Sequence, residues 1–507
     1  MKRGDLADVL CSTEEERVKV RRLLKQLLKE GAIVRVKSNR FAIPSDVDLV
    51  IGTLKGHEKG FGFVIHDEPG KADIYISQNN MHTAFDGDRV AVRLYEPRPP
   101  RYGERDKGPL LEGKIIRIEE RRTKEIVGTL ARTQQFFYVI PDNPRITRDI
   151  YVAEKLCMGA KPGDKVVAEL TRWDSMHVNP EGKIIEVLGA ANAPWVDIMA
   201  IMRKYNLPSH FPKEVEKEMH NIPDEVRRED LVGREDFRND TVVTIDPDDA
   251  KDFDDAISLS RLPNGRWRLA VHIAEVSHYV RPGTALDKEA YLRATSVYFP
   301  GRVVPMLPEK ISNNLCSLKQ DLDRLVKSVV AELAPDGTVL SHKFYNGVIR
   351  SKKRYTYREV KKIVGGEDPQ LTKANAETVP TLMCMKELAL LLRDKRMARG
   401  SLDLDLPSVK IWVDAKGKTT SIEKEERDIA HTMIEEFMLV ANELMARYLA
   451  DRNIPCMYRV HDTPSLENLE DFILLVKSFG FKVPPVTHTR KIQSFYCSMS
   501  QLNGCKD

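Results

Sequence analysis

The chain has 507 residues, enough for several domains with separate cores. Lysine and arginine exceed aspartate and glutamate by only four among 31% charged residues, so any nucleic-acid footprint must be a local patch. No apolar run reaches about 18 residues and MKRGDLADVL lacks a signal-peptide core, which predicts no membrane partner and a cytoplasmic protein.

The seven cysteines (Cys11, Cys157, Cys316, Cys384, Cys456, Cys497 and Cys505) are odd in number and form no C-x-x-C, the pattern of reduced structural thiols. Ser12 and Thr13, three residues ahead of Glu15 and Glu16, predict a capped helix carrying Val20, Leu24, Leu27 and Leu28 on one side and ended by Gly31. Residues 33–36 and 41–43, flanking Lys37-Ser38-Asn39-Arg40, predict a hairpin. Helix plus basic-tipped hairpin is the profile of a winged helix-turn-helix over 1–47, a unit that binds nucleic acid, binds protein or packs on its neighbours.

From residue 52 the text repeats at an offset of 76: Gly52-Thr53-Leu54 recurs as Gly128-Thr129-Leu130, Asp73-Ile74-Tyr75-Ile76 as Asp149-Ile150-Tyr151-Val152, and Gly87-Asp88-Arg89-Val90 as Gly163-Asp164-Lys165-Val166. The aromatic strand at Phe61 and Phe137 is the fourth anchor. Two copies of one domain follow, over 50–97 and 112–189, joined by the Pro- and charge-rich linker Arg98 to Gly108. Lys59-Gly60-Phe61-Gly62-Phe63-Val64 resembles the RNA-binding strand of cold-shock domains, which makes each copy an OB β-barrel. Phe61 and Phe63 share a face at period two, the glycines leave room for stacked bases, and Lys59 meets phosphate. Core packing of the two rings is the competing reading. Gln135-Phe136-Phe137-Tyr138-Val139 lacks both glycines and the lysine, predicting a weaker or differently shaped platform in the second copy.

Residues 190–235 read as short helices broken at prolines, a helical linker. From 236 to 507 strands alternate with helices, a mixed α/β domain; the whole is a multidomain α+β chain. Within it TVVTIDPDDAKDFDDAISL places six aspartates (Asp246, Asp248, Asp249, Asp252, Asp254 and Asp255) in ten residues. Converging carboxylates repel by roughly 4 kcal/mol per pair at about 4 Å and an effective dielectric near 20, so a hard divalent cation such as Mg²⁺ suits them. A solvated acidic loop is the competing reading. The flanks favour the cation, since Val242, Val243 and Ile245 and then Ala256, Ile257 and Leu259 read as buried strands. Lys251 and Ile257 stand where an EF-hand needs Gly and Glu. His272 and His278 read as packing residues, with no second ligand pair nearby.

TIDPDDAKDFDDA closely resembles the signature of the RNase R and RNase II (RNB) family of processive 3′-to-5′ exoribonucleases. VHIAEVSHYV, RATSVYFPGRVVPMLPEKISNNLCSL, RYTYREV, IEEFMLVANE and MYRVHDTP follow in the family's order. The resemblance implies Asp246, Asp252, Asp254 and Asp255 as the catalytic and Mg²⁺-binding set, Asp254 first among them, with Asp248 and Asp249 left to the loop surface. It implies Tyr298 on the 3′-terminal base, Tyr357 near the scissile nucleotide, and Glu435 and Glu436 near the terminal ribose. Core packing remains the alternative for both tyrosines.

Departures stand beside these matches. Glu275 replaces a usual Asp, Leu404 falls where some relatives have an aromatic, and Ser408 replaces a common Glu. After Lys491 the text stops resembling the family, so a segment carrying a transition-state arginine and a C-terminal OB domain are expected to be missing and the RNB domain incomplete. The resemblance implies an Mg²⁺-dependent, monomeric exoribonuclease, closest to ribonuclease R, that degrades single-stranded RNA and structured RNA with a 3′ overhang to nucleoside 5′-monophosphates. The alternative is a catalytically impaired fragment that binds RNA only through its OB domains.

Overall fold

The computed structural model describes residues 13–30, 33–36, 40–42, 49–67, 70–95, 111–401, 408–425, 427–460 and 465–480. Gly31, the hairpin tip at Lys37 to Asn39, the linker from Arg98 to Gly108, Leu404, Cys11, Cys497, Cys505 and the text after Lys491 lie outside them. The chain divides into two compact units, Met1–Leu207 with Asp414–Lys418, and Pro208–Val413 with Thr419–Asp507.

In the first unit, helix α1 (Glu14–Glu30) opens on the expected capping box. The Glu16 amide donates to Thr13 Oγ1 at 3.3 Å, and the Thr13 amide to Glu16 Oε2 at 3.0 Å. Strands β1 (Val34–Val36) and β2 (Arg40–Ala42) form the hairpin. A single helix and hairpin among the described residues do not define a winged helix-turn-helix.

β3 (Leu49–Gly56), β4 (Gly62–His66), β5 (Ile74–Ile76), β6 (Arg89–Leu94) and β7 (Leu111–Glu120) close a barrel in the order β3-β4-β5-β7-β6. Most of β7 falls in the stretch that sequence reading gives to the second copy. It belongs to the first because the four strands before it leave β5 and β6 without a shared neighbour. β8 (Glu125–Arg132), β9 (Phe137–Pro141), β10 (Ile150–Val152), β11 (Asp164–Arg172) and β12 (Glu181–Ala190) close the second barrel, and α2 (Val196–Lys204) packs Val196 and Ala200 on its Val127, Val167 and Leu188.

The repeat is real, but its offset is not constant. Val64 pairs with Ile74 and Val139 with Ile150, so β9 is displaced by 75 residues from β4 while β10 is displaced by 76 from β5. The equivalent of Phe61 is therefore Phe136, not Phe137. With side chains alternating at period two, one residue moves a ring from one face to the other: Phe137 is buried in the core and Phe136 is 43% exposed.

The second unit begins with α3 (Lys213–Asn221) and is organised on a seven-stranded mixed sheet. Its strands are β13 (Glu235–Asp236), β14 (Val242–Asp246), β15 (Asp255–Arg261), β16 (Trp267–Ala274), β19 (Asp323–Leu333), β20 (Val339–Arg350) and β21 (Lys353–Thr356), in the order β13-β20-β19-β16-β15-β14-β21. Between β16 and β19 come α4 (Ala285–Arg293) and the hairpin β17 (Val297–Phe299) and β18 (Arg302–Val304). After β21 come α5 (Tyr357–Gly365), α6 (Val379–Ala398), the hairpin β22 (Ser408–Val413) and β23 (Thr419–Glu425), α7 (Ile429–Ala450) and α8 (Leu466–Ser478).

Period-two alternation gives the sheet two buried faces. Val243, Ile245, Ile257 and Leu259 meet Leu382, Met385, Met433 and Phe437 of α6 and α7. Val242 and Ala256 point the other way, toward Met219, Leu286 and Ile311. A helical layer on each side holds β14 and β15 and the loop they carry. His272 lies wholly inside, between the hydroxyls of Ser328 at 2.8 Å and Ser258 at 3.4 Å, and burial drives its pKa down to about 3. His278 pairs with Asp230 at 3.2 Å.

Candidate active site

β14 runs beside β21 as far as Asp246, which pairs with Thr356, but pairs with β15 only through Val242 and Val243. The two neighbouring strands then part, and Pro247 to Asp254 bridges them at the end of the sheet where α5 begins. Asp246 closes one strand and Asp255 opens the next.

The six aspartates fall into two sets. Asp248 lies 3.3 Å from Arg358, Asp249 is 2.6 Å from Lys410, and Asp252 accepts the Tyr298 hydroxyl at 3.1 Å. Asp246, Asp254 and Asp255 have no ion pair among the described residues. Asp246 is 9% exposed, and its Oδ2 is buried without a hydrogen-bond partner there. Burial and then the Asp255 charge push Asp246 up to about 7; burial and then Asp254 push Asp255 up to about 6. Asp254 is raised by burial and Asp252, though it reaches the surface, where water screens it.

These carboxylates have the chemistry that suits a hard cation. An orphaned buried carboxylate oxygen and two uncompensated neighbours fit Mg²⁺, which takes one or two carboxylates and fills its shell with water and substrate phosphate. Among the described residues, no three His, Cys, Asp or Glu side chains already converge on one point. Asp252 is half-buried and accepts the Tyr298 hydroxyl, close enough to Asp254 for its charge to raise that carboxyl.

The loop is held by residues that sequence reading did not single out. Arg354 Nη2 donates to the Pro247 carbonyl at 2.6 Å, and the guanidinium lies 5.3 Å from the Phe253 ring, so one side chain grips both ends of the loop. Its positive charge opposes the rise at Asp246. The Ser317 hydroxyl donates to the Lys251 carbonyl at 2.7 Å, and the Leu318 amide to the Phe253 carbonyl at 2.9 Å. Arg324, 3% exposed, donates from Nε to the Ser317 carbonyl at 2.8 Å. Ser317 and Arg354 stand inside motifs quoted for the family resemblance, which was the available signal. Glu275, one residue past β16, is buried between Arg234 at 2.5 Å and Lys327 at 3.0 Å; its neighbour Ala274 donates to the Asp254 carbonyl at 2.9 Å.

Tyr298, on β17, is 65% exposed at the edge of the aspartate loop. Tyr357 opens α5, stacks on His431 with ring centroids 3.9 Å apart, and is pushed up to about 12 by burial and the charges of Asp255 and Asp246. The two glutamates separate. Glu436 is 2% exposed, with both carboxylate oxygens engaged by Arg396, the shortest contact 2.6 Å. Glu435, on the adjacent helical position, is half-buried with its side chain reaching solvent and paired with Arg427. Successive helical residues stand about 100° apart, so the two carboxylates meet different surroundings, and which of them faces the site is the choice that sequence leaves open.

On the first barrel Phe61 and Phe63 do face outward, half-buried, in a cluster with Tyr75 and with His57 stacked 4.4 Å from Phe61; Lys59 is exposed. The glycines serve another purpose than leaving room for bases. A Cβ on Gly62 would sit 2.9 Å from Leu54 Cδ1 and from the Lys55 carbonyl oxygen, so Gly62 lets β4 close on the core, and Gly60 turns the chain at φ +87°. The second barrel presents a matching set, Phe136 with Tyr138 at 6.1 Å and Tyr151 at 5.9 Å. Tyr75 and Tyr151 were legible as equivalent members of the repeat.

Two closed barrels, followed by a mixed sheet in which the neighbouring strands β14 and β15 part around an aspartate loop, define an RNB-type architecture. The RNB domain model matches residues 234–504, the Ribonuclease B OB domain model 52–109 and the cold shock domain model 138–212. The chain belongs to the RNB domain family. It is 40% identical over 476 residues to the Ribonuclease R of Thermotoga maritima, covering 93% of this chain and 65% of that protein. It is 37% identical over 484 residues to the Ribonuclease R of Escherichia coli, covering 95% and 58%. The chain thus spans about three fifths to two thirds of the length of these relatives. The structure of Mycoplasma genitalium RNase R in complex with ribose methylated single-stranded RNA superposes with a TM-score of 0.80 at 28% identity, over 89% of this chain and 70% of that one.

Proposed function

We propose that this chain acts as an Mg²⁺-dependent 3′-to-5′ exoribonuclease of the ribonuclease R type, releasing nucleoside 5′-monophosphates processively from single-stranded RNA and from structured RNA with a 3′ overhang. The observation that carries this reading is the split of the aspartates: among the described residues Asp246, Asp254 and Asp255 form no ion pair, while Asp248 and Asp249 do. Asp246, Asp254 and Asp255 would hold the metal, with Asp252 completing the set by resemblance. A bound divalent ion would supply an ionised water and relieve charge on the phosphoryl oxygens.

The chain's own residues do the rest. Tyr298 offers an open ring to the terminal base beside Asp252. Tyr357 stands between the aspartates and His431, and its high pKa keeps its hydroxyl a donor at neutral pH. Glu435 is the carboxylate open to a terminal ribose; Glu436 holds α6 to α7. Arg354 and Ser317 keep the loop in place while charge changes around it. Phe61, Phe63 and Lys59 offer the first barrel's RNA surface. We place it in the cytoplasm as a monomer; Cys157, Cys316, Cys384 and Cys456 are free thiols, as a reducing compartment would keep them.

The test is 5′-labelled single-stranded RNA with Mg²⁺. Wild type should shorten it from the 3′ end, and Asp254→Asn should bind it with unchanged affinity while releasing no mononucleotide. Wild-type turnover in that variant would remove the loop from the chemistry.

A further inference from the structure

Apart from the barrels' aromatic faces, the first unit carries a polar cleft of about 820 Å³. The turn before β6, the β7–β8 connection, the β9–β10 loop and the end of α2 line it. Its walls hold Arg122, Lys124, Arg145, Arg203 and Lys204 against two acids, Asp86 and Glu125. Asp86 is engaged by Arg145 at 3.2 Å, and Arg203 pairs with Glu186. Among the described residues no ion pair is found for Arg122, Lys124 or Lys204.

Basic residues at a helix C-terminus favour its carbonyls, which accounts for Arg203 and Lys204. It does not account for Arg122 and Lys124, which stand on the connection between the barrels. Nor does it account for Tyr205, which follows α2 and is 64% exposed, with Lys204 Nζ 5.6 Å from its ring. An open aromatic ring in a cleft with three cations that form no ion pair among the described residues is the chemistry that holds a single strand of nucleic acid, a base on the ring and phosphates on the charges. The volume is that of a small-ligand pocket, suited to a short stretch of strand.

We propose that this cleft is a second contact for single-stranded RNA, with a base stacked on Tyr205 and adjoining phosphates against Arg122, Lys124 and Lys204. It rests on the RNA-handling part of the function proposed above and assigns a site apart from the barrel aromatics and the aspartate loop.

The test measures anisotropy of a labelled single-stranded oligoribonucleotide on the full chain, in an Asp254→Asn background to prevent cutting. Tyr205→Ala should weaken binding by about five- to a hundredfold, the range for losing one stacking partner. Arg122→Gln with Lys124→Gln should reduce the slope of log affinity against log salt by about 1.4, for two phosphate contacts on a single strand. Circular dichroism checks both folds, and the charge variant, altering only surface side chains, reads the site even if the tyrosine variant unfolds. Unchanged affinity and salt slope would overturn the proposal, as would loss of binding to an acidic peptide with RNA binding intact. Mononucleotide release by the wild-type aspartate loop, measured separately, distinguishes the two ideas. Release with unchanged affinities sinks the cleft alone, whereas affinity losses without release sink the nuclease reading alone.

Discussion

Asp246→Asn separates the electrostatic cost of the site from its structural role. The carboxyl is held at about 7 in the folded chain against an ordinary 3.8, so the fold binds its proton more tightly than the unfolded chain does. That contribution to stability is fully present below the unfolded value and is lost as pH rises through the folded one. With these values, the loss is about 4 kcal/mol near pH 8 and about 2 kcal/mol near pH 5. Because Asp255 titrates beside it, the measured change belongs to the pair. An amide is uncharged at both pH values and costs the same packing penalty at both, whereas the carboxyl is neutral near pH 5 and ionised near pH 8, so the difference of about 2–3 kcal/mol isolates the charge. In thermal melts with chelator present, the variant should therefore gain about 5 °C on wild type between about pH 5 and about pH 8. Added Mg²⁺ near pH 8 should raise the wild-type melting temperature and leave the variant's nearly unchanged. A variant that loses ground to wild type as pH rises would show that Asp246 is already compensated by the protein, and the argument for a cation site would fail.

Two further outcomes test the assignments of individual side chains. Phe137→Ala should destabilise the second barrel by about 3–5 kcal/mol, as loss of a buried ring, whereas Phe136→Ala should stay within about 0.5 kcal/mol and weaken RNA binding instead; denaturant melts and RNA titrations read the two. Glu436→Gln should cost about 3 kcal/mol by leaving Arg396 unpaired in the helical layer, whereas Glu435→Gln should leave stability near wild type and alter discrimination between RNA and DNA ends. Equal effects of the two glutamate changes on stability would contradict their separation.

Much of this molecule is written locally. The capping box at Thr13 and Glu16, the doubled domain, the β-branched runs around the aspartates and the outward pair Phe61 and Phe63 all depend on neighbours within a few residues or on a repeat within the chain, so sequence alone determined them. What it could not determine depends on register and on partners far along the chain. A turn one residue shorter puts Phe136 outside and Phe137 inside, because strand side chains alternate. Barrel closure claims Leu111–Glu120 for the first copy, because β5 and β6 need a common neighbour. Which aspartates stay uncompensated is decided by Lys410 and Arg358, brought to Asp249 and Asp248 from more than a hundred residues away, and by Arg354 across the loop. A helix assigns Glu435 to solvent and Glu436 to Arg396 only once α6 has packed against α7. The composition of the site is therefore a property of the sequence, and its charge balance a property of the fold, since electrostatic compensation acts through space and not along the chain.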